Sequence, residues 1–247
     1  MIVVVGDPTL RFEAGGVPAG AGGTAAALAR ACARAGATVQ LAGKVGDDPA
    51  GDEILLALTR DGIGHVALLR DAGATTRLDQ ATDVADAGRS GADPEADGWA
   101  VADDEDPAEG SETGDPAGPA ASGPARVVAP VSMLAPEDLD LALRYLSTFA
   151  VLIVAQPLSP DTLAVAVESA AYSGAHLVVI DGPDTATTTL AAVPADDITA
   201  LESPITDPDG DFAGLVGRYA AALDGGTPAS AAFRTALSAA GWEATAP

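Results

Sequence analysis

Three short runs of uninterrupted apolar residues constrain this chain most: Ile2–Val5 (IVVV), Val151–Val154 (VLIV) and Leu177–Ile180 (LVVI). A strand that is apolar at every position has no face to give to water. It belongs inside a parallel sheet covered on both sides. Helix signals alternate with these runs. Pro136-Glu137-Asp138 opens a helix reaching about Ser147, with proline in the first turn and acids near the positive end. Ser159-Pro160-Asp161 opens another, and Gly174 ends it. Alternation of this kind marks right-handed βαβ units. The expected fold class is α/β, a Rossmann-like three-layer αβα arrangement with a mostly parallel central sheet.

The stretch Gly22–Gly51, GGTAAALARACARAGATVQLAGKVGDDPAG, carries the densest local signals. Thr24 is the expected N-cap of an alanine-rich helix, and Gly36 supplies the left-handed residue that ends it. A strand over Val39–Ala42 follows, and GDDPAG turns the chain into a helix over Gly51–Asp61. A glycine pair at a helix start leaves the first N–H groups open to a ligand, and the helix dipole there favours negative or hydroxyl-rich groups. The competing reading is a compact α/β connection that binds nothing.

The core must be built from Ala, Val and Leu, because 48% of the residues are hydrophobic but only 4% are aromatic. Twelve basic residues face 36 acidic ones, a net charge of −24. Nucleic-acid phosphates and anionic membrane surfaces would be repelled by such a chain. No apolar run approaches the roughly 20 residues that span a bilayer. Met1 leads directly into IVVV without a basic region or a small-residue cleavage site, so the expectation is a cytoplasmic chain with no signal peptide. The single cysteine, Cys32, excludes an intramolecular disulfide and is expected in the core. His65 and His176 have no ligand-spaced partners and are expected to be structural or exposed.

Between Asp79 and Ala125 stand thirteen acidic residues and one basic residue, Arg89, among many Gly, Pro, Ser and Ala. Such a segment cannot bury enough apolar surface to offset its ordering entropy. It is expected to be a disordered, solvated insert at about 79–125.

Gly22-Gly23-Thr24-Ala25-Ala26, then Gly43-Lys44-Val45-Gly46-Asp47-Asp48 and Gly51, resemble the N-terminal signature of the PfkB-type, ribokinase-like sugar kinases. The helix, Gly62-Ile63 and a strand near Thr75-Thr76 continue the resemblance. So do Leu134-x-Pro136-Glu137-Asp138, a strand ending at Gln156, and Gly174-Ala175-x-Leu177-Val178-Val179-Ile180-Asp181. The resemblance implies a single ribokinase-like domain over residues 1–247. Its lid strands would be reduced or absent, since only about a dozen residues, an ordinary loop, separate the loop after the first strand from the glycine pair.

It also implies a site. Gly22 and Gly23 would contact substrate. Arg11 stands where the family's G-x-x-x-x-D pattern, counted from Gly6, places a sugar-binding aspartate, and Ala27 where an asparagine is common. Glu202 matches the first glutamate of an N-E-x-E motif near metal and phosphates, with Leu201 and Pro204 replacing two other members. Gly210-Asp211 matches the end of the catalytic G-A-G-D: Asp211 would be the base and Gly210 part of the anion hole. In a second register, Asp211 is only a helix cap. Pro208 removes one N–H donor, and Asp209 adds negative charge where a polyphosphate would sit. Asp181 and Gln156 are expected at the carboxyl ends of strands, where open α/β sheets place ligands; Asp181 and Glu202 would be nucleotide- or metal-proximal, with no direct metal ligand. Two functions follow. One is an ATP- and Mg²⁺-dependent kinase acting on the hydroxymethyl group of a sugar or sugar-like ligand. The other is a pseudokinase that keeps the sheet as a ligand-binding or protein-interaction module. The departures gather at reactive positions, so activity is expected to be weak or lost. The oligomeric state is left open.

Overall fold

Residues 1–13, 15–79, 133–146, 148–181 and 197–241 are described by the structure, a computed structural model. The apolar runs become β1 (Ile2–Val5), β7 (Val151–Val154) and β8 (His176–Asp181). Six strands form the main sheet, in the order β5 (Leu68–Asp71), β4 (Val39–Gly46), β1, β7, β8, β9 (Ile198–Glu202). Every neighbouring pair in it is parallel. Alternate residues of each strand serve different cores. Ile2, Val4, Ile153, Val178 and Ile180 belong to one cluster; Val3, Val5, Leu152, Val154, Leu177 and Val179 belong to the other. That division explains why these strands carry no polar alternation.

One face packs on α1 (Gly23–Arg34), α2 (Pro49–Arg60), α5 (Asp211–Asp224) and α6 (Ala229–Ala239). The other packs on α3 (Pro136–Tyr145) and α4 (Pro160–Ser173). The result is the expected αβα sandwich. The described residues all fall within a compact unit comprising residues 1–81 and 129–247. The acidic stretch expected to be an insert lies, apart from Asp79, outside the described residues. Among the described residues no helix is long and apolar enough to cross a membrane.

A second sheet is small: β3 (Pro18–Gly22), β2 (Thr9–Phe12) and β6 (Leu78–Asp79), with β2–β3 antiparallel and β2–β6 parallel. Its strands β2 and β3 occupy the interval before the glycine pair that the sequence suggests is an ordinary loop. The α2 helix starts at Pro49, two residues before the expected Gly51. Gly22, in extended backbone, is the N-cap of α1 in place of Thr24, because β3 runs into the helix without a connecting residue. Pro228 precedes α6, and the Thr227 N–H donates to the Ala222 carbonyl and closes the end of α5. Gly36 and Gly174 take positive φ, at 91° and 63°, after their helices as expected, and Cys32 is fully buried.

The two sides of the sheet are tied at the strand ends by Asp7, only 5% exposed. Its Oδ1 accepts from the Lys44 N–H at 2.9 Å, and its Oδ2 from the Leu134 N–H at 3.1 Å and Gln156 Nε2 at 3.2 Å. Burial raises the Asp7 pKa above the usual carboxylate range, against the lowering effect of these donors.

At the start of β8, the His176 imidazole Nε2 lies 2.8 Å from Thr199 Oγ1, which lies 2.7 Å from the Tyr219 hydroxyl. Burial lowers the His176 pKa, with Asp197 acting weakly the other way. The folded chain therefore binds fewer protons at this position than the unfolded chain, whose histidine titrates near 6.5. Stability from this residue is present above that pH and falls as pH drops below it. Denaturant midpoints measured from pH 8 to pH 5 are expected to decline below about 6.5, and His176→Gln is expected to reduce that decline.

Candidate functional site

The helix α1 starts on a glycine pair with no side chain capping it and no acid in its first turn. Gly23 has a φ of 77°, a left-handed conformation that a side chain would strain. A Cβ on Gly22 would come within 2.8 Å of Thr9 Oγ1, 3.0 Å of Arg11 Cβ and 3.3 Å of Asp79 Oδ2. The diglycine is thus pressed against the small sheet, and the bare backbone forms a wall.

The opposite wall is the start of α5. The two helices approach closely because Gly217 lies on α1: a methyl there would meet the Ala31 carbonyl carbon at 2.5 Å and its oxygen at 2.8 Å. Between the walls is a crevice of about 320 Å³. Arg11, Gly22, Gly23, Ala27, Arg30 and Asp79 line it from one side, and Asp207, Gly210, Phe212 and Ala213 from the other.

The diglycine and the Gly210-Asp211 pair, far apart along the chain, are expected from the sequence to share one site. Gly22, Gly23, Arg11 and Gly210 do line it together. Asp211 heads α5 beside them, but its side chain is exposed and does not line the crevice. Asp181 and Glu202 end β8 and β9 as register partners, and neither lines the crevice. Gln156 follows β7 and is engaged with Asp7, its Oε1 accepting the Asp7 N–H at 3.0 Å.

Four contributors were missed. Asp207 is the most consequential: its Oδ1 accepts from the Phe212 N–H at 3.1 Å and its Oδ2 from the Ala213 N–H at 2.9 Å. A carboxylate of the chain itself therefore occupies the positive end of α5. Asp79 reads in the sequence as the first residue of the acidic insert, but β6 pairs it in register with Arg11. Arg30 follows Gly23 and Ala27 at helical spacing, which was the available signal. Its Nε donates to Asp61 at 2.8 Å, and its Nη2 donates to the Ala21 carbonyl. Thr9 is 8% exposed, and its Oγ1 has no hydrogen-bond partner.

A nucleotide phosphate does not fit the α5 terminus as it stands. Two of its N–H donors are already engaged, and the Asp207 carboxylate would repel the phosphate. Among the described residues no group of three or more His, Cys, Asp or Glu is placed to hold a metal ion.

A parallel αβα sheet with a small second sheet beside one rim defines a ribokinase-like α/β protein. Residues 4–92 match the model of the pfkB family carbohydrate kinases. Phosphofructokinase-2 from Escherichia coli, in its tetrameric inhibited form, superposes with a TM-score of 0.59 at 13% identity, covering 97% of this chain and 92% of that one. Aminoimidazole riboside kinase from Salmonella enterica gives 0.52 at 13% identity, covering 100% and 94%. Fructokinase from Xylella fastidiosa with bound ATP gives 0.47 at 15% identity, covering 96% of this chain. This chain spans only 65% of the length of that fructokinase. No curated protein matches the chain. At such identities the structural likeness speaks for the fold.

The close contact between α1 and α5 yields a test. Gly217→Ala is expected to destabilise the protein by about 1–3 kcal/mol, the usual effect of overpacking, read as a lower denaturant midpoint at an unchanged m-value.

Proposed function

We propose that this protein is a ribokinase-like carbohydrate-kinase homologue whose crevice holds a small polyhydroxy ligand and in which ATP-dependent phosphoryl transfer is weak or lost. The observation that carries this reading is Asp207, whose carboxylate takes the Phe212 and Ala213 N–H groups at the helix start. Transfer of a phosphoryl group depends on free, preorganised donors at the point where charge develops. Here those donors already serve an internal anion. Arg11 and Ala27, in place of the residue types that the resemblance implies, support the same reading. With a net charge of −24, a cytoplasmic small-molecule role away from nucleic acids is the natural setting.

The active-kinase reading has one observation in its favour: Gly210 shares the crevice with the diglycine, and Asp211 follows it. In that reading ATP and Mg²⁺ supply the phosphoryl donor and its charge neutralisation, and Asp211 receives the hydroxyl proton.

Thermal unfolding with Mg-ATP separates the two. The expected result is no stabilisation, whereas a binder at a hundredfold excess over its dissociation constant gains about 2.7 kcal/mol. Asp207→Ala is expected to lose about 1 kcal/mol of stability as a lost cap. Stabilisation of the unmodified protein by Mg-ATP, with sugar phosphorylation that Asp211→Asn abolishes, would overturn the proposal.

A further inference from the structure

The main sheet ends in two edges of unlike chemistry. On its β5 edge stands Arg70, paired with Asp47 and Asp52. Its β9 edge, Ile198–Glu202, has no lysine, no proline and no break in its register against β8. Lysine, proline and bulges are the usual means by which proteins blunt an open strand. The Ser203 N–H donates to the Asp181 carbonyl of β8. Backbone groups alternate in direction along a strand, so Ile198, Ala200 and Glu202 turn their N–H and C=O groups away from β8. Among the described residues no strand pairs with that side of β9. A groove of about 720 Å³ lies beside the edge, lined by Thr199, Leu201, Pro228 and Phe233. Thr199 is tied to His176 and Tyr219, so the strand is held against α5 before any partner arrives.

We propose that β9 pairs with β9 of a second copy of this chain, antiparallel about a two-fold axis at Ala200. The argument for this occupant is that the strand complements itself. In that register Ala200 faces its own counterpart and Ile198 faces Glu202, so each outward N–H meets an outward C=O. Ala200, exposed and the smallest side chain of the strand, lies on the axis. Thr199 faces the second copy's Leu201, on the side of the sheet where the apolar groove lies. The two Glu202 carboxylates fall at opposite ends of the pairing. They are separated by roughly 13 Å along the strand, beyond the Debye length of about 8 Å at physiological salt. The net charge of −24 opposes association at low ionic strength, and added salt screens that repulsion. A five-residue pairing is small for an interface, so the dimer forms at micromolar and higher concentration.

Sedimentation velocity on the full chain, from micromolar to near-millimolar concentration, tests this. A reversible dimer is expected, tighter at high salt than at low. Ala200→Glu and Ala200→Lys each set like charges face to face on the axis, and each is expected to weaken the dimer about tenfold. An equimolar mixture of the two variants is expected to form a heterodimer at least as tight as the unmodified dimer, a recovery that misfolded variants could not give. A monomer at every concentration would overturn the proposal. Protection of the Ala200 N–H from hydrogen exchange in that monomer would assign the edge to another stretch of this chain instead. A dimer that Ala200→Glu leaves intact would overturn it too, by placing the interface elsewhere, and so would two variants that stay apart when mixed.

Discussion

The contact of Gly217 with the Ala31 carbonyl is the constraint on which the site depends. It joins two helices from opposite ends of the chain with no room for a methyl group between them. Each helix begins beside the other's first turn, so their amide-bearing ends share one crevice. Packing of apolar faces alone would bring α1 and α5 onto the sheet, but would not set how closely they approach each other. The absent Cβ at Gly217 permits that approach, and native cores have few voids in which to absorb a change.

Given that geometry, the charge of the crevice follows from which amides are taken. Two positive helix ends in one small space attract anions strongly when both are open. Here one is closed internally by a carboxylate, which lowers the field toward which a polyphosphate would move. The other remains open and has an arginine beside it. Asp207 thus divides the crevice into a side occupied by the protein's own anion and a side without one.

The central sheet was legible because fully buried strands write themselves as unbroken apolar runs, and because Pro, Ser and Gly mark helix ends by local chemistry. The diglycine was legible from its place at a helix start, and Gly210 from the resemblance of Gly210-Asp211 to a family motif. Gly217 was not, since nothing in its own neighbourhood distinguishes it from any glycine in an alanine-rich helix. Asp207 was not, because whether a carboxylate reaches back over a helix start depends on the path of the loop between. Asp79 was hidden by its composition. It is the first of thirteen acids, and only a two-residue parallel pairing with β2 separates it from the rest. Asp7 reads as an ordinary loop residue after β1, although four elements converge on it.

The residues that hold the fold and those that would perform chemistry are different sets. Asp7 joins β1, β4, Gln156 after β7, and the entry to α3 through hydrogen bonds that exist whether or not a ligand arrives. Asp48 does the same for the turn before α2, accepting from the Gly51 N–H, the Thr76 N–H and the Thr76 hydroxyl. Lys44 lies between Asp71 and Asp138 at 3.1 and 3.0 Å. Removing a member of such a network leaves buried polar groups unpaired and destabilises the native state itself. Among the described residues, changing Arg11, Ala27 or Asp209 disturbs no comparable side-chain network. The structural punctuation of this sheet therefore does not depend on which residues occupy those positions. The fold alone is accordingly no argument for transfer; the argument has to come from which amides at the α5 terminus are free.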